Sequence, residues 1–259
     1  MDKKGKKMKE KLFSLVEIEI NHSCNLACSY CPNSNSERIE KGEMSLEQFN
    51  LIVDQLAEIN YEGLVSFHFY NEPLLCTKLN EFTTILKSRL PKVRLQIYSN
   101  GLFLTLGRTM ELFEKGVDFF VITKHEAIKG NFVFDETYEK LDKKYRNKIV
   151  YKNFKDIELN NRGGLIPHLS ENKEKNYTEF PCMIANMFTV ITLKGNVLPC
   201  YEDFNQTEVM GNVNKDHIKE IWNSNHYTKF RQKLRKKRRL SESDLCKQCN
   251  NFTIISGEW

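Results

Sequence analysis

The sequence predicts an α/β protein: an open or partial barrel of parallel strands, followed by a small C-terminal domain. Three observations carry this reading. Strand-like and helix-like segments alternate from Leu15 to Tyr151, each strand segment keeps its polar residues on one face, and the alternation stops near residue 164. Strands that alternate with helices form βα units, whose strands run parallel.

The elements follow in order. Residues 15–21 (Leu-Val-Glu-Ile-Glu-Ile-Asn) alternate apolar and polar, as a half-buried strand does. Ser45 and Gln48 form a capping-box pattern that opens an amphipathic helix to about Ile59. Residues 64–70 are the next strand, 79–90 a helix, 93–98 the third strand with Ser99, Asn100 and Gly101 turning it, and 106–115 a helix. Residues 118–123 are the fourth strand, 135–145 a weaker helix and 149–151 a short fifth strand. Parallel sheets buried on both faces are almost wholly apolar. Here Glu17 and Glu19, His68 and Tyr70, and Gln96 and Tyr98 sit opposite apolar partners, so one face is expected to line a binding cavity. After Gly164 comes a polar linker at 172–178. A hairpin at 188–199 turned by Lys194 and Gly195 and one or two helices at 217–237 follow. The expected division is a basic tail at 1–11, a core domain at 12–178 and a C-terminal domain at 179–259.

Composition excludes several classes. The 259-residue chain is 40% hydrophobic and 28% charged, which suits a globular domain, and no apolar run reaches membrane-span length. The Lys-rich N-terminus has no signal-type apolar stretch behind it, so a cytoplasmic location is expected. The net charge of +5 is modest, and the basic run at 233–239 reads as a solvated face, so neither nucleic acid nor membrane is an expected partner.

Eight cysteines in a reducing compartment read as metal ligands. Cys24, Cys28 and Cys31 place three thiolates within eight residues of loop. Three ligands leave one metal position open for a substrate or cofactor, whereas four close a site. The alternative is a zinc site completed by a distant ligand such as His22. Cys182, Cys200, Cys246 and Cys249 supply four thiolates, and spacing alone does not separate zinc from an iron–sulfur cluster.

The CxxxCxxC loop with Tyr30 before its last cysteine, directly after a first strand, resembles the signature of radical S-adenosylmethionine (SAM) enzymes. The resemblance implies a partial (β/α)6 barrel and a 4Fe–4S cluster on Cys24, Cys28 and Cys31. SAM would bind the fourth iron and be cleaved to a 5′-deoxyadenosyl radical. Glu72 and Pro73 match the end of the family's Gly-Gly-Glu-Pro motif, with Tyr70 and Asn71 in place of the glycines. Asn tolerates the left-handed region that such a position uses. The resemblance therefore makes Tyr30, Glu72, Ser99 and Asn100 the expected SAM contacts. Gly195 to Cys200, Met210 to Val213, and Ile221 with Trp222 resemble the SPASM extension in its shorter, four-cysteine twitch form. That implies a second, fully ligated 4Fe–4S cluster suited to electron transfer.

Over 12–252 the chain resembles radical SAM enzymes of aminoglycoside biosynthesis that oxidise a secondary alcohol of an aminocyclitol. What the resemblance implies is a NAD-independent dehydrogenase of an aminocyclitol or sugar. The adenosyl radical removes the carbinol hydrogen, a base takes the hydroxyl proton and the second cluster accepts the electron. Arg162, Glu202, Tyr70 and Tyr98 are then the expected substrate residues, with Arg162 orienting rather than deprotonating the oxygen. A flavodoxin- or ferredoxin-type protein is the implied electron donor. The alternatives are an epimerase that uses Cys76 as hydrogen donor and a metal-binding protein without catalysis. Cys76, beside Leu74 and Leu75, also reads as a small buried hydrophobe. His22, His68 and His125 lie at strand ends, where they touch a ligand or simply pack.

Overall fold

The structure is a computed structural model that describes residues 12–170, 180–236 and 243–251. The basic tail and the proposed linker at 172–178 lie outside the described residues, as does the end of the basic run.

Eight strands form one sheet: β1 (Leu15–Ile18), β2 (Leu64–Ser66), β3 (Arg94–Ser99), β4 (Phe119–Lys124), β5 (Ile149–Asn153), β6 (Phe188–Ile191), β7 (Asn196–Leu198) and β8 (Gly211–Asn212). Their order is β5-β4-β3-β2-β1-β6-β7-β8. From β5 to β6 every pairing is parallel, while β7 and β8 add antiparallel. The sixth parallel strand therefore comes from the C-terminal segment and lies on the far side of β1, not beyond β5. The sheet runs unbroken across the expected boundary at 178/179.

The outer face is the main core. Val16, Ile18, Val65, Leu95, Ile97, Phe120 and Ile122 are buried there. They pack under α2 (Leu46–Glu58), α3 (Leu79–Arg89) and α4 (Leu106–Glu114), with Phe49 stacked on Phe82 at 4.3 Å. Ser45 caps α2 by accepting from the Gln48 N–H at 3.1 Å, as the sequence pattern expects. The inner face keeps the polar alternates. Register places Glu17 beside Ser66, and Ser66 beside Gln96, in one inward row.

Two elements differ from expectation. The strand expected at 64–70 ends at Ser66, because the chain then turns: the Asn71 Oδ1 accepts from the Phe69 N–H at 2.7 Å, and Tyr70 has φ +58°. The helix expected at 135–145 splits into α5 (Val133–Lys140) and α6 (Lys143–Arg146), parted by extended Leu141 and Asp142. The remaining helices are α1 (Pro32–Asn35), α7 (Ile184–Met187), α8 (Ile218–Asn223), α9 (Asn225–Leu234) and α10 (Asp244–Gln248).

Candidate active site

The loop from β1 to α1 holds Cys24, Cys28 and Cys31 and is fastened to the strand ends around it. Asn21 donates to the Glu72 carbonyl at 3.1 Å and accepts from Asn71 at 2.7 Å, while the Glu72 N–H donates to the Ser23 carbonyl. Asn100 reaches Asn25 at 2.8 Å. From the segment after β4, Glu126 accepts from the Ser29 N–H, and His125 Nδ1 shares a hydrogen bond with the Tyr30 hydroxyl. Burial lowers the His125 imidazole to about 4, so it is neutral.

Beside this loop lies a cavity of about 110 Å³ lined by Cys24, Glu72, Ser99, Asn100, His68 and His125, among others. Glu72 is buried and accepts from the Leu74 N–H, the Ser99 hydroxyl and the Asn100 N–H at 3.1, 2.9 and 2.7 Å. Burial outweighs those donors and pushes its carboxyl up to about 7. Of the four expected SAM contacts, Glu72, Ser99 and Asn100 line this cavity. Tyr30 is buried and stacked on Phe154 at 5.1 Å. The left-handed position of the Tyr70–Asn71 pair is Tyr70, not Asn71 as the sequence suggested, because Asn71 is used as a hydrogen-bonding side chain.

Cys182, Cys200, Cys246 and Cys249 line a second cavity with apolar walls from Ile184, Phe230, Leu234 and Leu245. The Glu202 and Asn251 N–H groups donate to the Cys200 and Cys249 sulfurs at 3.3 and 3.4 Å. Backbone donors of this kind suit thiolates that ligate a cluster. Burial and the neighbouring sulfurs oppose charge in both sets, raising Cys24 to about 11 and Cys200 well above the thiol range. Bound iron reverses that balance by taking the thiolate as a ligand. Thiolate-only sets of three and four, with backbone donors to Cys200 and Cys249, fit two iron–sulfur clusters. His22 is held through its Nδ1, which the Gly42 N–H reaches at 2.9 Å.

Glu202 lines the cavity of the second thiolate set. It is fully buried, and its carboxylate accepts from Tyr70 at 3.0 Å, from Asn160 at 3.0 Å and from Asn251, with Arg162 3.9 Å away. The Arg162 guanidinium lies 5.9 Å from the Tyr70 ring centre. Burial alone would lower Arg162, but Tyr70 and Glu202 hold it above its ordinary value, so it stays a cation. Burial and Glu202 likewise raise the Tyr70 phenol. Tyr98 faces His68 at 4.8 Å and is pushed up to about 12 by burial and by Glu17. Three of the four expected substrate residues thus meet in one network, and Tyr98 lines the adjoining cavity.

Two features set this network. Tyr70 and Arg162 are two of only four non-glycine residues with positive φ among the described residues, a strained conformation for such side chains. Beside Arg162, Gly163 and Gly164 let α10 approach: a Cβ at either would lie within 2.5 Å of Leu245 or Gln248. The turn is locked to the Cys246–Cys249 segment by reciprocal bonds, Asn161 N–H to Asn250 Oδ1 and Asn250 N–H to Asn161 Oδ1. Asn160 and Asn251 were missed as site residues. Their only signal was the Asn pairs adjoining Arg162 and Cys249. Cys76 sits in the main core, its thiol 3.8 Å from the Ile20 carbonyl.

Comparison with known proteins agrees with this geometry. Residues 18–157 match the model of the radical SAM superfamily, and residues 182–250 that of the SPASM iron–sulfur cluster-binding domain. The chain is 41% identical over 249 residues to the S-adenosyl-L-methionine-dependent 2-deoxy-scyllo-inosamine dehydrogenase of Niallia circulans, covering 96% of this chain and 97% of that one. Among solved structures, BtrN in complex with AdoMet and 2-DOIA aligns with a TM-score of 0.88 at 41% identity, over 96% and 97% of the two chains. BtrN in an open conformation aligns with a TM-score of 0.74 at 37% identity, over 93% and 94%.

Proposed function

The chain belongs to the radical SAM superfamily and carries a SPASM-type domain, and from that premise we propose that it oxidises a secondary alcohol of an aminocyclitol to a ketone. It is an oxidoreductase whose cofactors are SAM and two iron–sulfur clusters. Cys24, Cys28 and Cys31 would hold one cluster, and Cys182, Cys200, Cys246 and Cys249 the other. When bound, these groups supply hydrogen-atom abstraction from the carbinol carbon and a sink for the second electron.

In this reading the chain's own residues do four things. Glu72 meets the SAM ammonium, and Ser99 and Asn100 hold the Glu72 carboxylate in place. Arg162, a fixed cation, polarises the substrate oxygen. Glu202 accepts the hydroxyl proton, since it is a buried carboxylate beside Arg162 already oriented by three donors. Tyr70 holds Glu202, and the Arg162–Gly164 turn, packed against α10, holds Arg162 in place.

The observation that carries the proposal is the position of Glu202, two residues from the ligand Cys200 and bonded to its sulfur through the backbone. A substrate held by Glu202 therefore sits beside the electron sink, which a dehydrogenase needs and an epimerase does not. The core position of Cys76 points the same way. The electron that starts each turnover would come from a flavodoxin- or ferredoxin-type protein.

The test is anaerobic turnover of the reconstituted enzyme with 2-deoxy-scyllo-inosamine. One ketone and one 5′-deoxyadenosine per turnover are expected. An inverted alcohol in place of the ketone would refute the proposal.

A further inference from the structure

Glu17 differs from every other buried acid of the described chain. Glu19 has Arg38 and the Leu193 N–H, Glu40 has Thr192, Asn196 and the Lys194 N–H, and Asp203 has Thr207 and the Glu208 N–H. Glu72 and Glu202 are equally well bonded, as described above. Glu17 is 5% exposed, and its Oε2 is buried with no hydrogen-bond partner among the described residues. Its Oε1 is 3.7 Å from the His68 Nδ1, longer than a hydrogen bond. Ser66, its register partner on β2, also has a buried hydroxyl with no partner. Paired residues on neighbouring strands point to the same face, so both unfilled groups face the barrel interior.

The surroundings say which interior. His68 and Tyr98 line the cavity beside Cys24 and Glu72, and Tyr98 feels the charge of Glu17. His68 also neighbours Tyr70 of the Glu202 network, with the ring centres 6.4 Å apart. Glu17 therefore lies beside His68, next to both the Cys24 cavity and the Tyr70–Glu202 network. A buried carboxylate oxygen left unpaired is costly and is kept where a ligand fills it.

We infer that Glu17, with Ser66 beside it, binds the ammonium group of the substrate. The inference rests on the aminocyclitol reading above and names the residue that selects the amine. An ammonium brings opposite charge and three donors, enough for both Glu17 and Ser66, and the Tyr98 ring adds an aromatic neighbour. A hydroxyl brings one donor and no charge. Arg162 and Glu202 then hold the reacting end of the ring while Glu17 holds the amine end, so only one carbinol faces the site of hydrogen abstraction.

The experiment is calorimetric binding to the SAM-loaded, unreduced holoenzyme. The probes are 2-deoxy-scyllo-inosamine and the same cyclitol with a hydroxyl in place of its amine. The wild type should prefer the amine. Glu17→Gln should weaken amine binding by roughly 10- to 100-fold, the loss expected for a charge-assisted bond, and change binding of the hydroxyl analogue less than about 3-fold. Glu17→Asp should fall between, and iron content and SAM affinity should match the wild type. Equal losses for both compounds, no loss for either, or loss of iron in the Gln variant would each overturn the inference. A wild type that oxidises the amine without preferring it overturns the inference alone. A wild type that binds neither compound overturns the aminocyclitol reading as well.

Discussion

Replacing Glu202 by Gln isolates the charge at the centre of the site. Gln keeps the shape, and the bond from residue 202 to the Cys200 sulfur is made by the backbone and survives. The cluster ligands should therefore stay in place. What goes is the negative charge that Asn160, Asn251 and Tyr70 donate to and that Arg162 faces at 3.9 Å. A hydrogen bond to a charged group is worth about 1.5–3 kcal/mol, or roughly 10- to 150-fold, to the substrate hydroxyl that would use it. Losing a positioned base costs a further ~10²–10⁴. The two effects overlap, so kcat/KM should fall by at least about 10². Ketone and 5′-deoxyadenosine are quantified from the same anaerobic reaction, with iron counted per chain. Ketone should fall further than 5′-deoxyadenosine, because a substrate that is not deprotonated gives up its electron poorly. A variant with full iron and kcat/KM within about 3-fold of wild type would refute the roles given to Glu202.

Other outcomes follow from the same geometry. The Cys246→Ala/Cys249→Ala double variant should retain about four of about eight irons and still bind SAM; iron analysis and SAM titration check this. Arg38 pairs with buried Glu19 at 2.7 Å, donates to the Phe69 carbonyl and lies 4.8 Å over the Phe204 ring. Above about pH 7, where Glu19 is charged, Arg38→Met should destabilise by about 3 kcal/mol by stranding that charge, and adding Glu19→Gln should recover most of that in chemical denaturation. Burial outweighs this pairing and pushes the Glu19 carboxyl up to about 7, so its proton is held more tightly folded than unfolded. Its contribution is therefore present below about pH 4.5 and lost as pH rises through about 7. Melting temperature should fall over that window, and less steeply in Glu19→Gln. Asn161→Ala removes one half of the reciprocal lock with Asn250 and should lower kcat more than iron content, since it loosens Arg162 and spares every cysteine.

The fold was legible wherever a local signal existed. Alternation in 15–21 and 93–98 marked β1 and β3, and Ser45 with Gln48 marked the start of α2. The polar inner row was visible in Glu17 and Gln96. Sequence failed where distant segments decide. Nothing local in 64–70 says that the strand must stop at Ser66 so that Asn71 can turn to bond Asn21. Nothing in Phe188–Ile191 says that β6 pairs with β1, 173 positions earlier. The cysteines stood out by type and spacing, and Glu72 by its likeness to the end of the Gly-Gly-Glu-Pro motif. Asn160, Asn251 and Glu17 could not, since an Asn or Glu acquires its role from the groups that converge on it, or that leave it unpaired, after folding.

The position of β1 has a consequence for how this protein can be cut or recombined. It is hydrogen-bonded on one side to β2 and on the other to β6. A truncation before residue 180 would strip β1 of its second partner and leave a buried, apolar strand with an open row of amide and carbonyl groups. Such an edge pairs with other chains. The shortened protein should aggregate rather than survive as a one-cluster enzyme. The C-terminal segment is therefore not an accessory that can be exchanged between relatives at a linker: any functional chimera has to carry β1 and β6 together from the same parent.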